Sequence, residues 1–287
     1  MFPDGMMDSF DRQFVRLRDN YLTALNTHDV DAVHDYRVAV KRLKALFNLA
    51  EGINPDFHAQ KQFRRFRLVF KSAAELRDLH IQIDIAGEFS TLPGFPGGEY
   101  LAFLRKRAGK AAAEMVEIGV NFDLERLEKK RGKIARALEN SEAEAAGRIM
   151  RARFDSLRDE LTAEIDGREP EDRKMHAVRK LAKEFHYLGE IIRDCFPERM
   201  ADGEILFAKL KRVHQALGKW HDYEVSRDWL KRFGNTKKFN PESGGVEAER
   251  YIDEKKRTHR EDFSRAWAEL RVVITDQPVK EDMTSGE

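Results

Sequence analysis

Cysteine is nearly absent from this chain of 287 residues. Cys195 stands alone, so no intramolecular disulfide can form, and the composition suits a reducing cytoplasm. Beside Phe196 and Pro197, the thiol reads as a small buried hydrophobe. Excess charge is lacking too: 52 Lys and Arg nearly cancel 51 Asp and Glu. Net charge therefore says nothing about partners, and only its distribution can. No stretch approaches the ~20 apolar residues needed to cross a bilayer. The start, Met1 to Gly5, lacks a basic region followed by an apolar run, so no signal peptide is expected and the protein is placed in the cytoplasm, unanchored. Strand signals are scarce. Gly97-Gly98 lacks the Lys-Ser/Thr of a phosphate-binding loop, and no Ser-His-Asp grouping or Cys-His pair is found. These gaps argue against catalysis, and no cofactor is expected.

What the chain does contain, it contains twice. His34-Asp35-Tyr36-Arg37-Val38-Ala39-Val40-Lys41-Arg42-Leu43-Lys44 returns as His176-Ala177-Val178-Arg179-Lys180-Leu181-Ala182-Lys183-Glu184-Phe185-His186, at a spacing of 176 − 34 = 142 residues. Polar positions at i, i+3, i+7 and i+10 fall within roughly 80° of one another on an α-helix. His34, Arg37, Lys41 and Lys44 form one stripe; His176, Arg179, Lys183 and His186 form the other. Tyr36, Ala39, Val40, Leu43, Leu46 and Phe47 back the first, and Val178, Leu181, Phe185, Leu188 and Ile192 the second. Cations placed this closely repel one another unless an anion intervenes.

The remaining segments follow the helical period of 3.6. Residues 1–8 are expected as a tail. Residues 9–130 form a first half, with helices near 9–26, 29–51, 57–88 and from Glu99, and a loop at Thr91 to Gly98. Residues 131–273 form a second half, with helices near 141–165, the second stripe ending at Phe196-Pro197, 202–233 and 246–273. Breaks are expected at Gly167 and Pro170, a loop at 234–245, and a disordered tail at 274–287. The charged segment Glu125 to Arg136, near the boundary, is read as helical. A second echo, Leu76-Arg77-Asp78-Leu79 with Trp220-His221-Asp222-Tyr223 (222 − 78 = 144), supports internal duplication. The expected fold is all-α: two tandem four-helix bundles with pseudo-twofold symmetry and a basic groove or cavity between them.

These residues resemble the CHAD family, the conserved-histidine α-helical domain. The first copy is similar to its His-x-x-Arg-Val-x-x-Arg/Lys-Arg-Leu-Arg/Lys pattern with Arg-Asp-Leu-x-Val/Ile downstream. The second is similar to His-x-x-Arg-Lys-x-x-Lys-x-x-Arg-Tyr-x-x-Glu, here His176, Arg179, Lys180, Lys183, Tyr187 and Glu190, followed by Leu210, Lys211, Leu217, Gly218 and Asp222. The resemblance covers roughly residues 9–273. His186 stands where Arg is usual, His214 where Gln is, His221 where Asn is common, and Ala74 where Gly often occurs. The resemblance implies binding of inorganic polyphosphate in a basic cavity, and targeting to polyphosphate granules in cells that make them. Many relatives add a triphosphatase-type domain; this chain has no Glu-x-Glu-x-Lys stretch and reads as a stand-alone member.

The expected groove carries His34, Arg37, Lys41, Lys44, Arg64, Arg67 and Lys71 on one side. Its other side carries His176, Arg179, Lys180, Lys183, His186 and Lys211, with His34 and His176 near the centre. Lys106, Lys110, Lys256 and Arg260 lie off the strongest phase and are weaker candidates. A solvated helix face is the plain alternative, and recurrence at one phase in both halves argues against it. A metal site built on His34, His176 and His186 is disfavoured by their Arg and Lys neighbours. Asp78 and Asp222 are read as pairing with a stripe arginine or capping a helix, rather than as general bases. Two rivals stay open: a metal-dependent phosphohydrolase acting on polyphosphate or a nucleoside triphosphate, and a nucleic-acid-binding helical protein. The scarcity of aromatic residues on the stripes disfavours the latter.

Overall fold

The computed structural model describes residues 2–139, 141–165, 172–195, 203–236 and 244–276. Every regular element among them is helical. The breaks expected at Gly167, Pro170 and Phe196-Pro197, most of the 234–245 loop and the tail from 277 lie outside the described residues.

Helix α1 (Phe2–Thr27) starts well before residue 9, because Met6, Met7 and Phe10 continue its apolar face into the core; the expected N-terminal tail is helix. Asp29 then caps α2 (Val30–Ile53), its carboxylate accepting from the Ala32 amide at 2.7 Å. All six residues expected behind the first stripe, Tyr36 to Phe47, are buried. On α9 (Asp172–Cys195), Val178, Phe185 and Leu188 are buried, while Leu181 and Ile192 pack at the edge of the core. The hydrophobic period thus fixes how both stripes point.

The helix expected over 57–88 is interrupted. After a 3₁₀ turn (Pro55–Phe57), α3 (Ala59–Ser72) ends where Ala73 leaves helical geometry (φ −111°, ψ 21°), and α4 (Ala74–Phe89) begins. The cause is competition for carbonyls. Ser72 Oγ donates to the Val69 carbonyl at 2.8 Å, and Arg37 donates to the Phe70 carbonyl at 2.5 Å. In an unbroken helix that Phe70 carbonyl would take the amide four residues on. The counterpart in the second half, α10 (Gly203–Gly234), runs without a break.

Helix α5 (Gly97–Gly119) closes the first half, followed by the short α6 (Glu125–Glu128) and α7 (Arg131–Leu138). Although residue 131 was expected to open the second half, α7 packs on α1 and α2. Ile134 and Leu138 are buried, Arg131 pairs with Asp11 at 2.7 Å, and Asn54 donates to the Ala137 carbonyl at 3.1 Å. Helices α8 (Ala143–Ile165), α9, α10 and α11 (Gly245–Asp276) complete the chain; α11 extends past residue 273, where a tail was expected.

One hydrophobic core runs through both halves. Tyr100 and Phe103 on α5 meet Phe233 on α10 at 5.2 and 5.5 Å, and Phe89 meets Tyr251 at 5.7 Å. The two interhelical loops also touch. Gly244 (φ +86°) lies so close to Gly94 and Phe95 that a Cβ there would meet the Phe95 amide nitrogen at 2.4 Å. Between α4 and α10, Ser226 Oγ donates to Gln82 Oε1 at 2.6 Å, and Gln82 Nε2 donates to the Asp222 carbonyl at 3.0 Å.

Gln82 and Ser226 are almost wholly buried. Ser226→Ala should therefore strand the Gln82 carbonyl oxygen and destabilise the protein by about 1–3 kcal/mol, read as a lower denaturant midpoint at unchanged slope. An unshifted midpoint would mean that the polar link contributes nothing to joining the halves.

Candidate functional site

The stripes meet where α2 packs against α9. At one end Arg42 forks onto Glu190, with Nε to Oε2 at 2.8 Å and Nη2 to Oε1 at 2.7 Å, both side chains less than a quarter exposed. The hydrogen bonds that Arg42 donates to the Glu190 carboxylate raise the Arg42 pKa. Burial opposes ionisation of Glu190, but Arg42 outweighs it and holds the carboxyl below its usual range. This pair fixes the register of the two ridges. Next to it, between α1 and α9, opens a cleft of about 660 Å³ lined by Arg12, Arg16, Tyr187 and Arg193 among others.

One residue before Arg42, Lys41 comes up against Lys183, its equivalent at the 142-residue spacing. Burial first, then Lys183, Arg37, Arg179 and Arg77, press the Lys41 pKa down to about 7. Lys183 is lowered by burial and then by Arg179, Lys44, Arg37 and Lys180. Arg37, Arg77 and Arg179 are each lowered by burial, with Asp78 and Asp222 acting in the opposite sense. The five cations Arg37, Lys41, Arg77, Arg179 and Lys183 make no salt bridge among the described residues. Arg179 Nε is buried without a hydrogen-bond partner. Elsewhere arginines find carboxylates readily, as Arg12 does with Asp194, Arg153 with Glu184 and Arg227 with Glu249.

Two carboxyls share this space. Asp222 is pushed up to about 6 by burial, against the pull of Arg179 and Arg77. Asp78 is raised by burial in the same way although its side chain stays open to solvent. Both feel the arginines of the cluster, but neither forms the ion pair with a stripe arginine that the sequence offered as one reading.

The histidines surround the cations. His34 and His176, expected at the centre, are exposed, and the enclosed positions belong to Lys41 and Lys183. His34 is lowered by burial and then by Arg77 and Lys41. His176 lies against Trp220 at 5.0 Å and His221 at 5.4 Å. His186 stacks on His214 at 5.5 Å and sits 3.6 Å from Glu190. Burial and nearby cations lower His186, take His214 down to about 3 and His221 to about 4, so these rings are neutral at neutral pH. Among the described residues no three His, Cys, Asp or Glu side chains gather as metal ligands do.

Several expected groove residues lie elsewhere. Arg64, Arg67 and Lys71 are exposed on α3, and only Lys71, next to Phe70, adjoins the cluster. Lys44 and Lys180 stand at its rim, and the charge of Lys211 reaches His186. Lys106 and Lys110 are exposed on α5, and nothing ties them to the cluster. Lys256 is buried, bonded to Glu224 and 5.2 Å above the Trp220 ring; this pairing on α10 withdraws it from ligand binding. Arg260, one turn on, is half-buried. Arg77 was missed. Its signal was the Leu-Arg-Asp-Leu echo, but an unbroken helix over 57–88 puts it roughly 120° from Lys71 and roughly 140° from Arg64. The break at Ala73 resets that phase.

The family model for the CHAD domain matches residues 8–231. No curated protein matches the chain. Among solved structures, the CHAD domain from the plant Ricinus communis superposes with a TM-score of 0.76 at 15% identity, covering 94% of this chain and 92% of that one. PptA from Streptomyces chartreusis gives a TM-score of 0.60 at 15% identity, with 96% and 99% covered.

The lowered lysines set a pH dependence of stability. Lys41 has a native pKa of about 7, below the ordinary 10.5 it regains on unfolding, so between those values the unfolded chain holds the extra proton. Lys183 and the lowered histidines act in the same sense. Stability of the unliganded protein should therefore rise from about pH 6.5 to 8.5, and Lys41→Met should flatten the rise. Urea midpoints across that range test this; a midpoint that falls with pH in the parent would refute it.

Proposed function

The chain belongs to the CHAD domain family, and on that footing we propose that it binds inorganic polyphosphate without chemically altering it. The carrying observation is the cation cluster: five enclosed cationic side chains on α2, α4 and α9 that make no salt bridge among the described residues. Polyphosphate bears charge along its whole length and offers no base, sugar or apolar surface. A receptor for it needs guanidinium forks and ammonium groups, which Arg37, Arg77, Arg179, Lys41 and Lys183 supply. His34 and His176 at the mouth add directional donors. The reading also takes the two halves as a duplication. Lys41 meeting Lys183 at a spacing of 142, and Gln82 meeting Ser226 at 144, are the pairings that a pseudo-twofold axis produces. Targeting to polyphosphate granules is part of the same proposal.

Two rivals fit less well. A metal-dependent phosphohydrolase needs carboxylates free to hold a divalent cation. Glu190 is engaged by Arg42, and Asp78 and Asp222 lie among three guanidinium groups that oppose such an ion. Single-stranded nucleic acid calls for stacking platforms, and the aromatic beside the second ridge, Tyr187, is buried. Phosphate release with and without magnesium tests the first rival. Competition between polyphosphate and single-stranded nucleic acid at equal phosphate concentration tests the second. The expected outcomes are no release, and displacement of the nucleic acid.

The ridge arginines give the mutational test. Arg37→Ala and Arg179→Ala should each weaken long-chain polyphosphate binding by about 1.5–3 kcal/mol in calorimetric titration. Arg37→Lys and Arg179→Lys should recover only part, since an ammonium keeps the charge but loses the fork. Arg18→Ala, which removes an exposed arginine bonded to Asp19, should change little. Folded alanine variants that bind like the parent would overturn the assignment.

A further inference from the structure

Helices α3 and α7 contain no acidic residue, unlike every other helix among the described residues. On α3 the cations Lys61, Arg64, Arg65, Arg67 and Lys71 are all exposed, spread over an arc of about 160° at 100° per residue. Phe66 and Val69 anchor the opposite side. None of the five makes a salt bridge among the described residues, in a protein where exposed arginines commonly do.

This face connects at both ends. At the C-terminal end, the Phe70 carbonyl accepts from Arg37, while the Phe70 ring lies 4.0 Å from the Arg37 guanidinium and 5.9 Å from Lys41 Nζ. The α3 cations therefore begin where the groove ends. Toward the N-terminal end, Gln62 accepts from Lys130 Nζ at 3.0 Å. Lys130 in turn lies within the fields of Lys133 and Arg65 and is lowered by burial and by both of them. The cationic surface thus runs on from the groove for the ~21 Å length of α3 and onto the start of α7.

Among the described residues, the corresponding stretch of the second half is not such a surface. Shifted by 144 residues, Arg65 and Arg67 fall on Lys209 and Lys211 of α10. There Lys209 and the neighbouring Arg212 are both bound by Glu269, Lys209 at 3.3 Å. Carboxylates quench one side and leave the other open.

We propose that α3 and the start of α7 form a one-sided track that holds the part of a long linear polyphosphate protruding from the groove. This rests on the groove reading and extends it: the groove sets affinity for phosphate, and the track sets preference for chain length. Because the second binding event is intramolecular, the track needs only weak contacts to matter. Exposed Leu68 on the same face is the one apolar interruption.

The test is the triple variant Lys61→Ala/Arg65→Ala/Lys133→Ala, at three side chains that make no hydrogen bond or salt bridge among the described residues. Its fold is checked by circular dichroism and melting. Its affinity for long-chain polyphosphate should fall roughly five- to tenfold, about a factor of two per screened surface charge, with a shallower salt dependence. Affinity for tripolyphosphate should stay as in the parent. Unchanged long-chain affinity, or equal weakening for both probes, would overturn the track. So would a loss confined to homopolymeric single-stranded DNA or anionic vesicles, which would assign the face to another partner. Lys41→Ala/Lys183→Ala separates the two levels: it should weaken both probes, and if it spares both, the groove reading itself has failed.

Discussion

Lys41 and Lys183 can face one another only because the helices that carry them have no freedom to turn away. The ridge of α2 is fixed by Tyr36, Val40, Leu43 and Phe47 behind it, and that of α9 by Val178, Phe185 and Leu188. Rotating either helix to separate the ammonium groups would expose several of these side chains at about 1.5–3 kcal/mol each. The fold thus holds like charges within each other's field, an arrangement that isolated helices would avoid. Arg42 and Glu190 fasten the arrangement, and burial first, then the neighbouring cations, make Lys41 give up its proton more easily. An anion between the ridges reverses that tendency, so occupancy and proton binding are linked in this site.

The two halves are charged differently. The second brings His186, His214 and His221 to the cluster, neutral in the unliganded protein. The first brings Arg77, turned into the cluster by the break between α3 and α4. That break is itself held by Arg37, a member of the site, through the Phe70 carbonyl. One guanidinium therefore shapes the backbone that delivers another. The second half has no equivalent of this device, since α10 is continuous where α3 and α4 part.

The duplication hypothesis drew on spacing alone, and spacing carries a position forward only where one helical phase is kept. It failed where a side chain from another helix intervened. Ser72 and Arg37 take carbonyls that a continuous helix would have used, so the phase of Arg64, Arg67 and Lys71 could not be carried on to Asp78. Likewise the position of Lys256 on its own helix gave no hint that Glu224 and Trp220 of another would cover it.

The sequence by itself determined the helices, the buried side of each stripe and the family, because these depend on residues within a few turns of one another. It also placed Arg37, Lys41, Arg179 and Lys183 on ridges of like phase. Only the tertiary structure decided that Lys41 and Lys183 are the enclosed pair, that His34 and His176 stay at the mouth, and that Arg77 joins them. Those outcomes rest on how helices far apart in the chain pack, and on which carboxylates and carbonyls reach each cation first. Such competition is settled in three dimensions, and no local pattern records its result.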